Sequence, residues 1–549
     1  MELLILKFRV QVPMRSSPDL MINLQISKIV DLHSFEEAFI GVSLLYLITY
    51  GTLISFNPKY NHPLFSKSFL NLIILVLVLG SYLSFKGDSS YLLESISFSD
   101  TLLVNLLSYN TKNIVTIFSI LSLVLIKEYI SISKINIFEY YVLILFAILG
   151  LIFLCTSNDF LTMFLSLELQ SLAFYVLAAT QKQSSYSVES GLKYFVVGSF
   201  ASGIFLFGVS IIYGMLGTIN FSEINELKLS TSIYTDGKYG AFIILEENSP
   251  FRLSQDFLIQ NRLIAYINSG IFFILISLFI KISLAPFHLW SPDIYENSPT
   301  SSSFFFIVLP KLSIFLAIVK LSYYCSFGSL FWLKELLFIF IICSISLGAF
   351  GGFEQKKLKS LLAYSSISHL GYLLLSLISE SFEGIFTLFC YLVVYTGSGV
   401  CLWGILLLLK LKKTKNNKLN KDLSDLMLLS KSNKVLCFII SGALFSLAGL
   451  PPLLGFLVKL NVLLITIQNN YYIVASLSIF FSVISLFYYI RVIKIVVFEP
   501  VLVGKLYEPI NSKSIIIPII LFFLVLVLFI NPSLFHKVMY KMCILSFLL

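Results

Sequence analysis

Long apolar runs separated by short polar segments make up most of the chain. Roughly fourteen of these runs are long enough to cross the ~30 Å hydrocarbon core of a bilayer as α-helices. They lie near 37–56, 68–85, 113–127, 138–156, 159–180, 191–216, 265–286, 301–322, 330–352, 357–379, 384–410, 434–465, 471–498 and 514–531. The pattern predicts an all-α polytopic membrane protein with about 14 transmembrane helices.

Two of the runs are interrupted by proline. The seventh ends in SLAPFHLW, which follows Lys281 almost directly, and the twelfth contains SLAGLPPLLGFLVK, which ends at Lys459. Proline frees backbone carbonyls that lipid cannot satisfy, so such breaks are tolerated only inside protein or beside water. Corresponding broken helices in two halves of the chain predict an inverted repeat with its functional site at the breaks.

Composition agrees with a membrane protein and excludes a nucleic-acid-binding one. Hydrophobic residues make up 58% of the chain and charged residues 12%, with a mean hydropathy of +0.92. The net charge of +9 comes from Lys and Arg in short loops, where they orient membrane proteins. Loops after odd-numbered runs carry most of them, including the segment 410–421. We therefore expect these loops on the matrix or cytoplasmic side and both termini on the opposite side.

The seven cysteines do not indicate a metal or redox centre. All lie in or beside apolar runs and none forms a CxxC pair, which is typical of small buried hydrophobic side chains. The chain also lacks a Gly-rich nucleotide loop and a cluster of metal-binding acids, so a membrane enzyme such as a lipid-linked glycosyltransferase is disfavoured. No cofactor is expected in this chain.

Ionisable residues inside the apolar runs are the candidates for function. A charge at a helix centre costs at least ~2.5–3.5 kcal/mol, so such residues usually line a pathway for ions or protons. The candidates are Glu168, Lys193, Lys281, Lys311 and Lys459, with His288 and His369 as weaker ones. Each also has a structural interpretation: the lysines could extend to the membrane surface, and the histidines could be satisfied by local hydrogen bonds.

One buried carboxylate among several buried lysines favours proton transfer. Burial lowers the proton affinity of a lysine and a nearby carboxylate raises it again, so re-pairing the carboxylate switches the lysine between holding and releasing a proton. Arginine would stay charged, and all the deep cations here are lysines. Glu168 and Lys193 lie on successive runs, and we expect them to contact each other within ~4 Å or through one water.

Four segments resemble the N-type antiporter-like subunits (subunit 2) of respiratory complex I. They are LELQSLAFYVLAAT, ESGLKYFVVGSFASGIFLFGVSIIYG, LFIKISLAPFHLWSPDIYENSPT and LKSLLAYSSISHLGY. The resemblance runs from about residue 35 to the C-terminus. It implies two inverted five-helix repeats with broken helices 7 and 12. The expected domains are an extension (1–35), three helices (36–130), the two repeats (131–325 and 326–500), and a last helix with its tail (501–549).

The resemblance also implies a function and residue roles. The family couples electron transfer from NADH to ubiquinone with proton pumping across the mitochondrial inner membrane. NADH, FMN, iron–sulfur clusters and ubiquinone are held by other subunits, and the partners are the neighbouring membrane-arm subunits and lipids such as cardiolipin. The implied roles are a modulating ion pair (Glu168 and Lys193), a central lysine (Lys281), a histidine beyond it (His288), a connecting lysine (Lys311) and an exit-side lysine (Lys459).

Two departures and two alternatives accompany this interpretation. Asn297 stands where the family usually has glycine, and the first 35 residues and part of 225–260 look like insertions. The alternatives are a subunit of a multisubunit cation/proton antiporter and the plastid NDH homologue. LELQSLAF and SPDIY favour the respiratory subunit over the antiporter.

Overall fold

The structure, a computed structural model, is almost entirely helical in the part it describes. The described residues are 34–55, 66–86, 95–98, 100–133, 138–226, 250–324, 331–379, 381–409, 422–498 and 512–544. The predicted extension at 1–35 lies almost entirely outside them, as do the Lys-rich segment 410–421 and most of the possible insertion at 225–260. The all-α prediction is confirmed.

The described ranges contain seventeen helices of eight residues or more, numbered in chain order. They are α1 Phe35–Ser55, α2 Ser66–Lys86, α3 Leu106–Ser133, α4 Phe138–Thr156, α5 Phe160–Ala178, α6 Ser185–Leu216, α7 Pro250–Ile282, α8 Trp290–Asn297, α9 Thr300–Tyr324, α10 Phe331–Phe353, α11 Leu358–Leu377, α12 Phe382–Leu408, α13 Lys434–Ala448, α14 Leu454–Gln468, α15 Tyr472–Val497, α16 Ser512–Ile530 and α17 Pro532–Ile544. A 3₁₀ helix, Leu423–Leu428, and one further turn, Leu429–Ser432, precede α13.

The spans follow the apolar runs closely. Ten helices of the described part are long and apolar enough to cross a membrane, or eleven if the pair Ile515–Ile530 and Pro532–Lys541, bent by 99°, is one span. Three shorter apolar helices, Ser68–Ser84, Lys434–Ala448 and Leu454–Gln468, are further candidates. The predicted count of about 14 is compatible with this arrangement. The boundaries of the two repeats stay a prediction.

Both predicted helix breaks are present. Helix α7 ends at Ile282 and the chain resumes as helix α8 at Trp290, while α13 ends at Ala448 and α14 begins at Leu454. Gly449 follows α13 with a φ of +81°, a left-handed conformation that glycine adopts without a Cβ penalty. The breaks therefore place irregular backbone within the helical bundle, where its carbonyls find protein partners.

Burial divides the helices into central and peripheral ones. In α9 the most apolar stretch is entirely enclosed by the rest of the chain, and in α11 and α12 it is nearly so. About a third or less of the corresponding stretches of α6, α10 and α15 is covered. A helix that is hydrophobic all round and wholly enclosed forms the core of the bundle. The peripheral helices present apolar faces to lipid or to another protein.

A two-stranded hairpin is the one sheet of the described part, and the hydrophobic pattern did not predict it. Strands β1 (Ser95–Ser97) and β2 (Leu102–Val104) pair antiparallel just before α3. Leu102 also bridges Ser157, at the end of α4. The hairpin therefore covers the end of the bundle at which α3 begins and α4 ends.

Candidate proton-transfer site

Glu168 and Lys281 form the first buried ion pair of the site. Lys281 lies on the last turn of α7, just before the break, and its Nζ is 3.1 Å from Oε1 of Glu168 on α5. The lysine side chain is 7% exposed and the carboxylate side chain 21%. Such a pair keeps a largely buried ammonium compensated, so a lysine that would be costly alone is tolerated here.

A cavity with room for a water molecule lies beside this pair. Its volume is about 20 Å³, and its lining includes Lys281, Gln170, Tyr175 and Pro310. Gln170 Oε1 is buried there and has no hydrogen-bond partner among the described residues. A space of this size holds one water, and an unpaired acceptor gives that water a partner. The cavity extends from Lys281 to the residue that precedes Lys311.

Lys311 lies at the centre of the bundle with a neutral partner. It follows Pro310 within α9 and is 2% exposed. Its Nζ donates to the hydroxyl of Tyr395 on α12 at 2.8 Å and lies 4.8 Å from the centroid of the same ring. None of the described carboxylates lies within 4 Å of it. This lysine is therefore solvated by one hydroxyl and one aromatic face rather than by a counter-ion.

Tyrosines and a histidine continue the series of enclosed polar side chains, which begins at Glu168 and Lys281, beyond Lys311. The ring of His369, on α11, lies 5.2 Å from that of Tyr395. Its Nδ1 is 2.8 Å from the hydroxyl of Tyr391, and its Nε2 is 3.1 Å from the hydroxyl of Tyr489. Neutral imidazole donates through one nitrogen and accepts through the other, so this group connects two hydroxyls in either tautomer.

Lys459 ends the series at the second helix break. Its Nζ donates to the carbonyl oxygens of Leu447 and Ala448, at 2.8 and 2.9 Å. Both carbonyls belong to the last turn of α13, where the helix leaves them without helical partners. A cavity of about 10 Å³ joins Lys459 to His369 and Tyr391. The predicted exit-side lysine is thus connected to Lys311 through aromatic polar groups.

The direct ion pair expected between Glu168 and Lys193 is not formed: Glu168 pairs with Lys281. Lys193 instead pairs with Glu189, one turn earlier on α6, at 2.8 Å, and with Asp293 at 3.4 Å. Burial explains the difference. The Lys281 side chain is nearly enclosed and takes the carboxylate, whereas that of Lys193 is 44% exposed on a peripheral helix and uses local acids. Lys193 therefore lies on the surface of this chain, beside the site rather than in it.

His288 is close to the break but contacts neither lysine. Its Nδ1 is 3.3 Å from the carbonyl of Pro286, and its ring lies 6.3 Å from that of Tyr364. These contacts agree with the structural interpretation of His288, in which local hydrogen bonds satisfy the ring. His369, the weaker candidate in the sequence, is the histidine within the series.

Sequence reasoning missed two kinds of residue. The first is the set of connecting tyrosines, Tyr391, Tyr395 and Tyr489, because tyrosine is frequent in this chain and carries no formal charge. The second is Lys320, near the end of α9, whose Nζ donates to the carbonyls of Cys155 and Ser157 at 2.7 and 2.9 Å. Its position inside an apolar run was the available signal.

Comparison with known proteins identifies the family of the chain. Residues 157–485 match the family model described as NADH:quinone oxidoreductase/Mrp antiporter, transmembrane. The chain is 33% identical over 445 residues to NADH-ubiquinone oxidoreductase chain 2 of Marchantia polymorpha, covering 81% of this chain and 84% of the relative. It is 34% identical over 440 residues to NADH-quinone oxidoreductase subunit N of Pelagibacter ubique, covering 80% and 83%.

A solved structure shares the fold. A chain of respiratory complex I from Thermus thermophilus with bound aureothin superimposes with a TM-score of 0.70 and 24% identity, covering 91% of this chain and 98% of that one. Together with the family match over residues 157–485, these relatives show that the chain belongs to the NADH:quinone oxidoreductase/Mrp antiporter family of membrane proteins, in the branch of complex I chain 2 and subunit N.

Proposed function

We propose that this chain is a proton-translocating subunit of the membrane arm of respiratory complex I. In this proposal, electron transfer from NADH to ubiquinone in other subunits drives protons through the chain across the mitochondrial inner membrane. The carrying observation is the enclosed series Glu168–Lys281, Lys311–Tyr395, His369–Tyr391 and Lys459. It connects the two helix breaks through groups that hold, donate and accept protons.

The first step is a change at the ion pair. While Glu168 stays 3.1 Å from Lys281, the ammonium is favoured. Withdrawal of the carboxylate leaves the ammonium in an apolar wall, so Lys281 releases its proton to the water in the adjoining cavity. Lys311, at the far side of Pro310, then receives it. Lysine suits this role because its proton affinity responds to burial, unlike that of arginine.

The remaining steps use neutral groups. The hydroxyl of Tyr395 accepts a hydrogen bond from Lys311 and lies beside the ring of His369. His369 and Tyr391 in turn border the cavity that contains the Lys459 ammonium. The two carbonyls at Lys459 stabilise its charged form without a counter-ion within 4 Å among the described residues. Because none of the described carboxylates pairs with it, the buried Lys459 holds its proton less strongly than an ion-paired lysine would and can release it when the next proton arrives or the break moves.

Partners and cofactors follow from the same proposal. In this proposal NADH, FMN, the iron–sulfur clusters and ubiquinone are held by other subunits of the complex. The poorly covered apolar faces of α6 and α15 would contact neighbouring membrane-arm subunits and lipids such as cardiolipin. The charged group Lys193, Glu189 and Asp293 lies on this surface, where a protein neighbour would shield it from lipid.

Proton pumping by the assembled complex tests the proposal. Complex carrying Lys281→Ala is reconstituted in vesicles, and the rate of NADH-driven proton uptake per assembled complex is measured. We expect a strong loss of pumping with assembly retained. Full pumping by an assembled variant would overturn the proposal. Transport that requires Na⁺ would favour the cation/proton antiporter alternative, and purification with plastid subunits would favour the plastid NDH homologue.

A further inference from the structure

A second cluster of buried charges lies outside the proposed proton route. Glu36 and Glu37 occupy the first turn of α1, and Lys112 lies two turns into α3. The Lys112 Nζ is 3.0 Å from Oε2 of Glu36 and 3.0 Å from Oε1 of Glu37. All three side chains are about 1% exposed. The cluster also lies outside residues 157–485, which the family model matches.

The formal charges of this cluster do not balance. Two carboxylates and one ammonium leave a net charge of −1 in a site with almost no solvent access. Lys112 is the one cation within 4 Å of either carboxylate among the described residues. An uncompensated buried charge costs several kcal/mol, whereas one added proton makes the cluster neutral. The geometry therefore requires a positive ligand, and a proton is the smallest one that fits an enclosed site.

The unpaired oxygen atoms indicate which carboxylate takes the proton. Glu37 Oε1 accepts a hydrogen bond from Lys112 at 3.0 Å. Oε2 of Glu36 lies equally close to the ammonium, at 3.0 Å, but outside hydrogen-bond geometry, so both oxygens of Glu36 and Oε2 of Glu37 are buried without a hydrogen bond in the described part of the chain. A carboxylate that accepts a charge-assisted hydrogen bond stays ionised, while one that lacks such a bond favours its neutral form. This difference favours Glu36 as the carboxylate that takes the proton.

Two further titratable groups face the cluster from neighbouring helices. The thiol of Cys155, at the end of α4, interacts electrostatically with Glu37 and Lys112 and also with Lys320 on α9. Lys320 is held by the carbonyls of Cys155 and Ser157, and it is not an ion-pair partner of either carboxylate. Helices α1 and α3 begin, and α4 and α9 end, at the same end of the bundle. The charge pattern of the loops predicts that this end faces away from the matrix.

We propose that Glu36, Glu37 and Lys112 form a proton-binding site that holds one exchangeable proton on Glu36, separate from the series that ends at Lys459. The site joins α1 to α3 as a neutral unit when the proton is bound. It acquires a charge of −1 when the proton leaves. This inference does not depend on proton translocation through Lys281.

Infrared spectroscopy of the assembled complex tests the site, because a protonated carboxyl group has a carbonyl band separate from those of carboxylates and amides. Glu36→Gln should remove one such band. Glu37→Gln should also remove one, because Glu36 then ionises as the single partner of Lys112. Lys112→Met should add one, because both carboxyls must then be neutral. The wild-type band should shift in D₂O if the proton exchanges.

Glu139→Gln provides the matched control, since Glu139 lies exposed in the first turn of α4 and should leave these bands unchanged. Unchanged bands in both Glu36→Gln and Glu37→Gln would overturn the proposal, and a dependence of stability on Na⁺ would then identify a metal cation as the ligand. A wild-type band that does not shift in D₂O would exclude an exchangeable proton. Failure of both glutamine variants to assemble would also overturn it, because each has the charge of the protonated wild type.

Discussion

Oε1 of Glu168 lies 3.1 Å from Nζ of Lys281, so the lysine at the first helix break has a carboxylate on α5 as its counter-ion. Removing the charge from one partner of such a pair while the other stays buried typically costs 3–5 kcal/mol. We expect Glu168→Gln to lower proton pumping and quinone-linked turnover together, because a coupled complex cannot run one without the other. Glu168→Asp should be milder, since it keeps the charge on a shorter side chain.

Parallel measurements of NADH oxidation and of proton uptake in vesicles check this expectation. The amount of assembled complex is determined in the same preparations. Turnover at the wild-type level in assembled Glu168→Gln complex would show that the pair has no part in coupling.

Lys281→Arg separates a proton carrier from a fixed positive charge. Arginine preserves the charge beside Glu168 but does not release its proton in a protein. We therefore expect a complex that assembles as well as the wild type and yet pumps as poorly as the Lys281→Ala variant. The rate of NADH-driven proton uptake per assembled complex is the measurement. Normal pumping by the arginine variant would mean that Lys281 acts only as a charge.

Gly449→Ala tests whether the position of the Lys459 side chain at the second helix break matters for pumping. A Cβ at this position would lie 2.6 Å from Cδ of Lys459, too close for any real contact, and the left-handed φ of +81° adds strain of about 1–2 kcal/mol. The variant should displace the lysine from the carbonyls of Leu447 and Ala448, so the rate of proton uptake per assembled complex should fall.

Gly217→Ala is the matched control for that substitution. Gly217 ends α6 with a φ of +73°, and a Cβ there meets nothing within 4 Å. It therefore carries similar backbone strain without a collision, and pumping should be retained. Equal losses in the two variants would attribute the effect to backbone strain alone.

Tyr395→Phe tests the neutral partner of Lys311. The change removes the hydroxyl 2.8 Å from the lysine and keeps the aromatic ring. Loss of a hydrogen bond to a charged group costs about 1.5–3 kcal/mol, so Lys311 should hold a proton less well and pumping should slow. Tyr140→Phe removes another buried hydroxyl, bonded to Ser301 at 2.8 Å, outside the series. If both variants pump equally well, the hydroxyl of Tyr395 is not part of the route.

The helices and their breaks could be predicted from the sequence because lipid permits so few backbone conformations. Long apolar runs must form helices, and proline inside such a run must lie against protein or water, as the breaks after Ile282 and Ala448 do. The same reasoning singled out Lys281, Lys311 and Lys459, since a charge inside an apolar run is rare.

Pairings between helices could not be predicted in this way. Glu168 had two lysines within reach on later helices, and the choice between them depends on which is more enclosed, a property of the packed bundle. The connecting tyrosines carry no charge that distinguishes them in the sequence. Lys112 was missed because the predicted run began at residue 113. Lys112 was therefore counted among the loop charges, although its side chain is nearly inaccessible.

Helix α9, which is enclosed along its most apolar stretch, carries Lys311 and Lys320 nine residues apart. At about 100° and 1.5 Å per residue, the two side chains leave the helix on opposite faces, roughly 13.5 Å apart along its axis. One meets Tyr395 on α12 and the other meets the end of α4. Rotation of α9 by a small angle about its own axis would therefore move both ammonium groups at once, in opposite directions.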